Sequence, residues 1–320
     1  MKALLCALGF SLAACGASPE EPGALVPPTA DQDAALPALD VYVAGHTRRL
    51  HLETYGDPTR PPLFAFHGGG GNDFRLLLPL RELADEYFVV LWDSRGCGLS
   101  ERITSEEVSW DSYMEEVVAV KAALSPQRPI HLAGYSWGGY QAARFATVHP
   151  EAVASLILFE PGPLTRQADD ALEKPKFGLA DDFVNEHLWQ VDFLSPSDHA
   201  AMDRKAYALA RQAMASFWCD PENPGWYAMW RHGIYVDILS AELLAKADAF
   251  NFAPALADLN QPVLIFGSSC GPLRTDYQKR HAVGLFQHAD VVELEGVSHM
   301  DLFVPKLVSE LRTWLKGHAP

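Results

Sequence analysis

The sequence predicts an α/β protein, a mostly parallel sheet of eight strands flanked by helices and interrupted by one helical insertion. Three observations predict it. Short apolar runs alternate with helix-length segments, most of the runs are apolar on both faces as central parallel strands are, and one long interval breaks that rhythm.

The first folded element is a hairpin, VYVAG followed by RRLHLETYG, whose alternation suits an antiparallel pair. Six further strands follow: PLFAF at 62–66, FVVLWD at 88–93, IHLAGY at 130–135, SLILFE at 155–160, PVLIFG at 262–267 and VVELEG at 291–296. Helices are expected at 74–85, 110–124, 138–148 and 303–316. The interval from about 163 to 258 has no clear strand, is rich in helix formers and carries Trp189, Trp218, Trp226 and Trp230. It reads as an inserted helical cap.

The N-terminus opens MKALLCALGFSLAACGAS, with one lysine, an apolar run from Ala3 to Ala14 and then a cysteine. The run is too short to span a bilayer and has the form of an export signal. Leu12-Ala13-Ala14-Cys15 resembles the lipobox of bacterial lipoproteins. That resemblance implies a signal peptide at 1–14, lipid attachment at Cys15 and export to the periplasmic or surface side of a bacterial membrane. An ordinary secretory signal cut nearby is the alternative. Residues 15–37, rich in Ala and Pro, read as a flexible tether, and 38–320 as the folded domain.

Composition bounds the partners. Acidic residues outnumber basic ones, 41 to 25, for a formal charge of −16, which repels the backbone of a nucleic acid. A small-molecule or short-peptide substrate stays open, as does oligomeric state. With Cys6 in the signal and Cys15 committed to lipid, Cys97, Cys219 and Cys270 allow at most one internal bridge. No CxxC pair or His/Cys cluster has metal-ligand spacing, so no metal site and no cofactor is expected.

Three motifs carry chemistry. Gly134-Tyr135-Ser136-Trp137-Gly138 fits G-x-S-x-G between an apolar strand and a helix, the setting in which a serine is held on a sharp turn as a nucleophile. AFHGGGGND at 65–73 ends another strand, and its glycines allow backbone N–H groups to face a developing oxyanion. Gly69 or Gly70, with the Trp137 amide, would make a two-donor hole. LEGVSHMDLFVP puts His299 after the last strand, where a general base belongs in this chain order. An idle serine on a Gly-rich turn, a phosphate-cradling loop and a surface histidine are the bland readings. The second fails for want of a following G-K-S/T.

These segments, over about 60–165 and 260–315, closely resemble the α/β-hydrolase superfamily. DSRGCGLS (93–100), the SWGG elbow and TVHPEAV (147–153) resemble its proline iminopeptidase branch. The resemblance implies the α/β-hydrolase fold, a serine hydrolase and, more narrowly, removal of an N-terminal residue from a peptide. It implies a loop-holding part for Asp93, Arg95 and Cys97. Amine recognition would need cap carboxylates, for which Glu186, Asp220, Glu222 and Asp237 are candidates beside the plain reading of solvated surface. A carboxylesterase on small apolar esters and a non-catalytic surface binding protein are the alternatives.

One departure stands out. In most family members the triad acid lies three residues after the glycine that ends the PVLIFG strand, and here that position is Cys270. A neutral thiol is a poor partner for an imidazolium. The superfamily's other place for the acid is one strand earlier, where SLILFEPGP ends in Glu160. Right-handed crossovers set that strand beside the serine strand, so Glu160 faces the same cleft. Asp276 and Asp301 are the fallbacks, and Cys270 is expected as a packed residue near the cleft.

Overall fold

In the computed structural model, which describes residues 27–172, 214–222, 225 and 230–318, the chain enters the sheet through the expected hairpin. Strands β1 (Ala38–Val43) and β2 (His46–Tyr55) pair antiparallel, joined at Ala44 and Gly45, both of positive φ. Then come β3 (Pro62–Phe66), β4 (Phe88–Trp92), β5 (Ile130–Tyr135), β6 (Val153–Phe159), β7 (Val263–Ser268) and β8 (Ala289–Leu294). The sheet order is β1-β2-β4-β3-β5-β6-β7-β8, and every pairing from β4 to β8 is parallel. The eight-stranded, mostly parallel architecture read from the sequence is therefore present.

Strands β3 to β7 are buried on both faces because helices cover both. Phe64, Trp92, Leu132, Leu158 and Ile265 point to one side, against α1 (Trp110–Leu124) and α2 (Trp137–Val148). Leu63, Val89, Ala133, Ile157 and Leu264 point to the other, against the segment Phe74–Leu83 and a C-terminal helix, Pro305–Gly317. Each of the buried Val, Leu, Ile and Phe side chains among these contributes about 1.5–3 kcal/mol by leaving water. Phe74–Leu83 is a 3-10 helix, with Pro79 inside it removing one backbone donor and Asp73 accepting the Arg75 N–H at its start.

Between β6 and β7 the described elements are α3 (Arg166–Ala171), short 3-10 turns at Ala215–Phe217 and Ala253–Asp258, and α4 (Ile234–Ala245), with no strand among the described residues. Helix α5 (Thr275–His281) follows β7, and α6 is Pro305–Gly317. The signal peptide, Cys15, Glu186, Trp189 and Trp226 lie outside the described residues. The C-terminal end of the expected tether is already docked: Thr29 and Ala30 are buried, and the Ala30 N–H donates to Leu99 O at 2.7 Å.

Candidate active site

Strand β5 ends at Tyr135 and α2 begins at Trp137, which leaves Ser136 alone on the turn with φ 54° and ψ −116°. A non-glycine residue seldom adopts that conformation, and here the flanking packing imposes it. A Cβ on Gly134 would lie 2.2 Å from Gly138 O, and one on Gly138 would lie 2.4 Å from His67 O, so only glycine permits this approach. The Ser136 carbonyl accepts the N–H groups of Gly139, Tyr140 and Gly162. From Ile130 to Ala143 every residue is buried except Ser136, which is partly exposed.

The tetraglycine loop beside it has the same signature. From Pro62 to Phe74 only Gly69 is partly exposed, and its φ of +57° with Asn72 pressed against it excludes a side chain. Asp237 packs over Gly70 and Gly71, where a Cβ on Gly70 would lie 2.9 Å from its Oδ1. Gly69, the partly exposed residue of this loop, and Gly70 both lie beside the serine turn. The cap and the β4 loop hold this loop from outside: Gly233 N–H donates to Gly71 O at 2.6 Å, His232 Nδ1 lies 2.9 Å from Asn72 Oδ1, and the Cys97 thiol donates to Gly70 O at 3.2 Å. His67 is a neutral strut whose Nδ1–H donates to Gly68 O and whose Nε2 accepts the Ser94 N–H. Burial holds its pKa below the usual histidine range, against the pull of Asp93.

His299 is reached from β8. Its ring stacks on Tyr135 at 4.7 Å, and the Tyr135 hydroxyl donates to its carbonyl at 2.7 Å, which sets it beside the serine turn. Its Nδ1 lies 2.7 Å from Glu160 Oε2, with both side chains fully buried. Glu160 sits at the end of β6, next to β5 as the crossover rule requires, with φ of +42°. Its second oxygen, Oε1, accepts both the amide (2.6 Å) and the hydroxyl (2.5 Å) of Ser268. The fallback acids are elsewhere: Asp276 is exposed, and Asp301 is exposed and accepts from the Ser298 amide and hydroxyl as the cap of its own turn.

Cys270 is more than a packed residue, because it is bonded to Cys219 of the cap across 51 positions. Two residues before that bridge, Phe217 reaches the His299 ring, 5.2 Å between centroids. The β4 loop is structural. Asp93, fully buried, accepts from Phe74 N–H, Leu99 N–H and His51 Nδ1, and Arg95 pairs with Glu116 at 2.9 Å. For His51, burial opposes protonation, but the Asp93 hydrogen bond and charge outweigh it and raise its pKa. Asp73 is pushed up to about 7 by burial and by the charge of Asp93, although Trp230, Arg231 and Arg75 donate amides to it. Among the cap carboxylates, Asp220 and Glu222 are exposed in a turn, whereas Asp237 overhangs the glycine loop with its side chain 39% exposed. The Asp237 pKa is lowered: burial raises it, but His232 at 3.3 Å and the two glycine amides outweigh burial. No group of His, Cys, Asp and Glu suited to a metal occurs among the described residues.

Ser268 and the His232–Asn72 contact were missed by sequence reasoning. Ser268 had a signal, since extending the β6–β7 register past Phe159 opposite Phe266 brings it near Glu160. His232 had none, being 160 residues from Asn72.

A family model described as alpha/beta hydrolase fold matches residues 61–305. The chain is 35% identical over 102 residues to a proline iminopeptidase of Heyndrickxia coagulans, covering 31% of this chain and 35% of that protein. It is 33% identical over 124 residues to a proline iminopeptidase of Clostridium botulinum, covering 36% and 42%. These matches span well under half of each curated relative. Among solved structures, a membrane phospholipase A described as a bacterial virulence factor superposes with TM-score 0.61 and 21% identity over 99% of both chains. A Mycobacterium smegmatis proline iminopeptidase gives TM-score 0.57 and 19% identity over 88% of this chain and 98% of its own. At those identities the structures show a shared fold.

Proposed function

The chain belongs to the α/β-hydrolase fold family, and on that premise we propose that it is a serine hydrolase working through Ser136, His299 and Glu160. The observation that carries the reading is the buried contact of 2.7 Å between His299 Nδ1 and Glu160 Oε2 beside the serine turn. Glu160 keeps the proton of the neutral ring on Nδ1, which leaves Nε2 to take the Ser136 proton. The serine oxygen attacks the carbonyl carbon, and the tetrahedral oxyanion is met by the amides of Gly69 and Trp137. Glu160 balances the imidazolium until it returns its proton to the leaving group. Water then repeats the sequence on the acyl-enzyme and frees the acid. Every step uses side chains and backbone amides of this chain.

The substrate we propose is a short peptide or aminoacyl compound with a free N-terminal amine. The likeness to proline iminopeptidases supports it, and so does Asp237, a charged and partly exposed carboxylate at the rim of the glycine loop. One feature favours the second reading, a carboxylesterase: Phe217, which packs on His299, belongs to an apolar cluster with Met300, Leu273 and Leu76. Chromogenic prolyl amides and short-chain esters, assayed on the purified chain with Ser136→Ala as control, separate the readings. Turnover that survives in Ser136→Ala would overturn the mechanism. Turnover of esters alone would make the chain an esterase, and turnover of neither would favour a binding protein on this fold. We further propose that the chain is exported and lipid-anchored at Cys15, a reading that rests on the Leu12–Cys15 motif.

A further inference from the structure

We propose that Ser268 is a positioning residue for catalysis, holding Glu160 so that one carboxylate oxygen, and only one, is presented to His299. The inference rests on the triad reading above and assigns a new part to the end of β7 and the loop it leads into. That loop carries no acid here; it supplies the donors that an acid on another strand requires.

A glutamate at the end of β6 is a demanding choice. It reaches His299 through three rotatable bonds, so an unrestrained carboxylate would spread over several rotamers and lose the 2.7 Å contact. It is also fully buried, where an ionised carboxylate must be hydrogen-bonded to persist. Both needs are met by Ser268, whose N–H and O–H converge on Oε1 at 2.6 and 2.5 Å and leave Oε2 as the oxygen that faces the imidazole. A hydroxyl has one proton. Cys270 O, at 2.8 Å, competes for it, and the shorter contact together with the negative charge draws it to Glu160.

Ser268 is itself fixed. Its carbonyl accepts the Thr275 hydroxyl at 2.9 Å, the next residue's N–H donates to Val297 O at 3.2 Å, and Cys270 is bonded to the cap. The residues that would have carried the acid thus form a rigid clamp around an acid from the neighbouring strand.

The test is a double-mutant cycle on the full chain, using whichever chromogenic substrate it turns over. Ser268→Ala removes the hydroxyl and keeps the amide. It is expected to lower kcat by about 10- to 100-fold, the range of one lost hydrogen bond to a charged group, with KM within about twofold. In a Glu160→Gln background the same change is expected to cost less than about threefold, because the group it acts through is gone. Ser268→Thr, which restores the hydroxyl, is expected to recover most of kcat, and it keeps the proposal testable if the alanine variant is too unstable to assay. An equal loss from Ser268→Ala in both backgrounds, or a loss confined to KM, would overturn the positioning role. If Glu160→Gln is itself fully active, the acid assignment falls and the clamp with it, whereas activity lost in Glu160→Gln but kept in Ser268→Ala removes the clamp alone.

Discussion

At the scale of single residues, the site rests on two positions held in unusual backbone geometry on adjacent strand ends, Ser136 with φ 54° and Glu160 with φ 42°. Neither can relax without breaking β-sheet pairing, since Ser136 N–H donates to Phe159 O and Glu160 N–H to Phe266 O. Glu160→Gln keeps the shape but places an amide where the carboxylate accepted three hydrogen bonds, and it removes the charge that balances the imidazolium. By analogy with other triads, kcat should fall about 10³- to 10⁴-fold with little change in KM, measured by steady-state kinetics. Asp237 gives a second prediction. Asp237→Asn lowers turnover of every substrate, because Gly70 and Gly71 lose the charge packed over them, and aminopeptidase action requires a further loss on prolyl substrates of about tenfold relative to esters. An unchanged ratio between the two substrates would remove Asp237 from amine recognition.

At the scale of elements, the described part of the segment between β6 and β7 is joined to the sheet domain by polar contacts, among them His232–Asn72, Gly233–Gly71 and Tyr113–Ser240, and by one covalent bond. The Cys219–Cys270 bond closes a 51-residue separation, and a chain-entropy argument gives it about 4 kcal/mol. Replacing both cysteines by serine should lower Tm by several degrees and raise the rate of proteolysis in the cap before the sheet domain is cut. Cap and sheet domain cleaved at equal rates would show the bond does not fasten them. The buried Asp73–Asp93–His51 cluster predicts a pH dependence. Asp73, at about 7 when folded against an ordinary 3.8, keeps a proton that the unfolded chain loses across that interval, so stability falls as pH rises through it. His51 acts in the same direction, because its raised pKa gives stability that is fully present below 6.5 and is lost as pH climbs through the folded value. Buried His67 and His131, whose pKa values burial lowers, gain stability as pH rises to about 6.5 and oppose this trend below that point, so Tm should drop between pH 6.5 and 8, and His51→Gln should flatten the curve. A wild-type Tm that rises over that range contradicts the assignment. All these contacts join residues far apart in the chain, and that is why they were not legible in the sequence. The strands were legible, since burial on both faces leaves a continuous apolar run, and so was the serine turn, since its glycines are dictated by backbone contact. The position of Glu160 could be reasoned from topology. The donors of Ser268, the bridge from Cys219 and the His232–Asn72 contact depend on how a long insertion folds back, which no local period records.

At the scale of the whole molecule, the acidic surface and the N-terminal motif make opposed demands on membrane residence. A chain of net charge −16 is repelled by anionic lipid headgroups, and no helix among the described residues is long and apolar enough to cross a bilayer. Lipid on Cys15, the attachment proposed above, would supply a hydrophobic contact that does not depend on the charge of the domain. The docked residues Thr29 and Ala30 fix how far the domain can then stand off. The 14 residues from Gly16 to Thr29 can span at most roughly 50 Å, whatever their conformation. That reach exceeds two Debye lengths, about 8 Å each at physiological salt, so the acidic domain is not forced against the headgroups. The consequence is a specific fractionation pattern in a bacterial host. Wild-type protein should sediment with membranes, resist a wash in about 1 M salt and release in detergent, because the attachment is apolar and not ionic. Cys15→Ala should lose metabolic labelling by a radiolabelled fatty acid while the folded domain keeps its hydrolase activity. Release of the wild-type protein by salt alone, or fatty-acid labelling that persists in Cys15→Ala, would refute attachment through this cysteine.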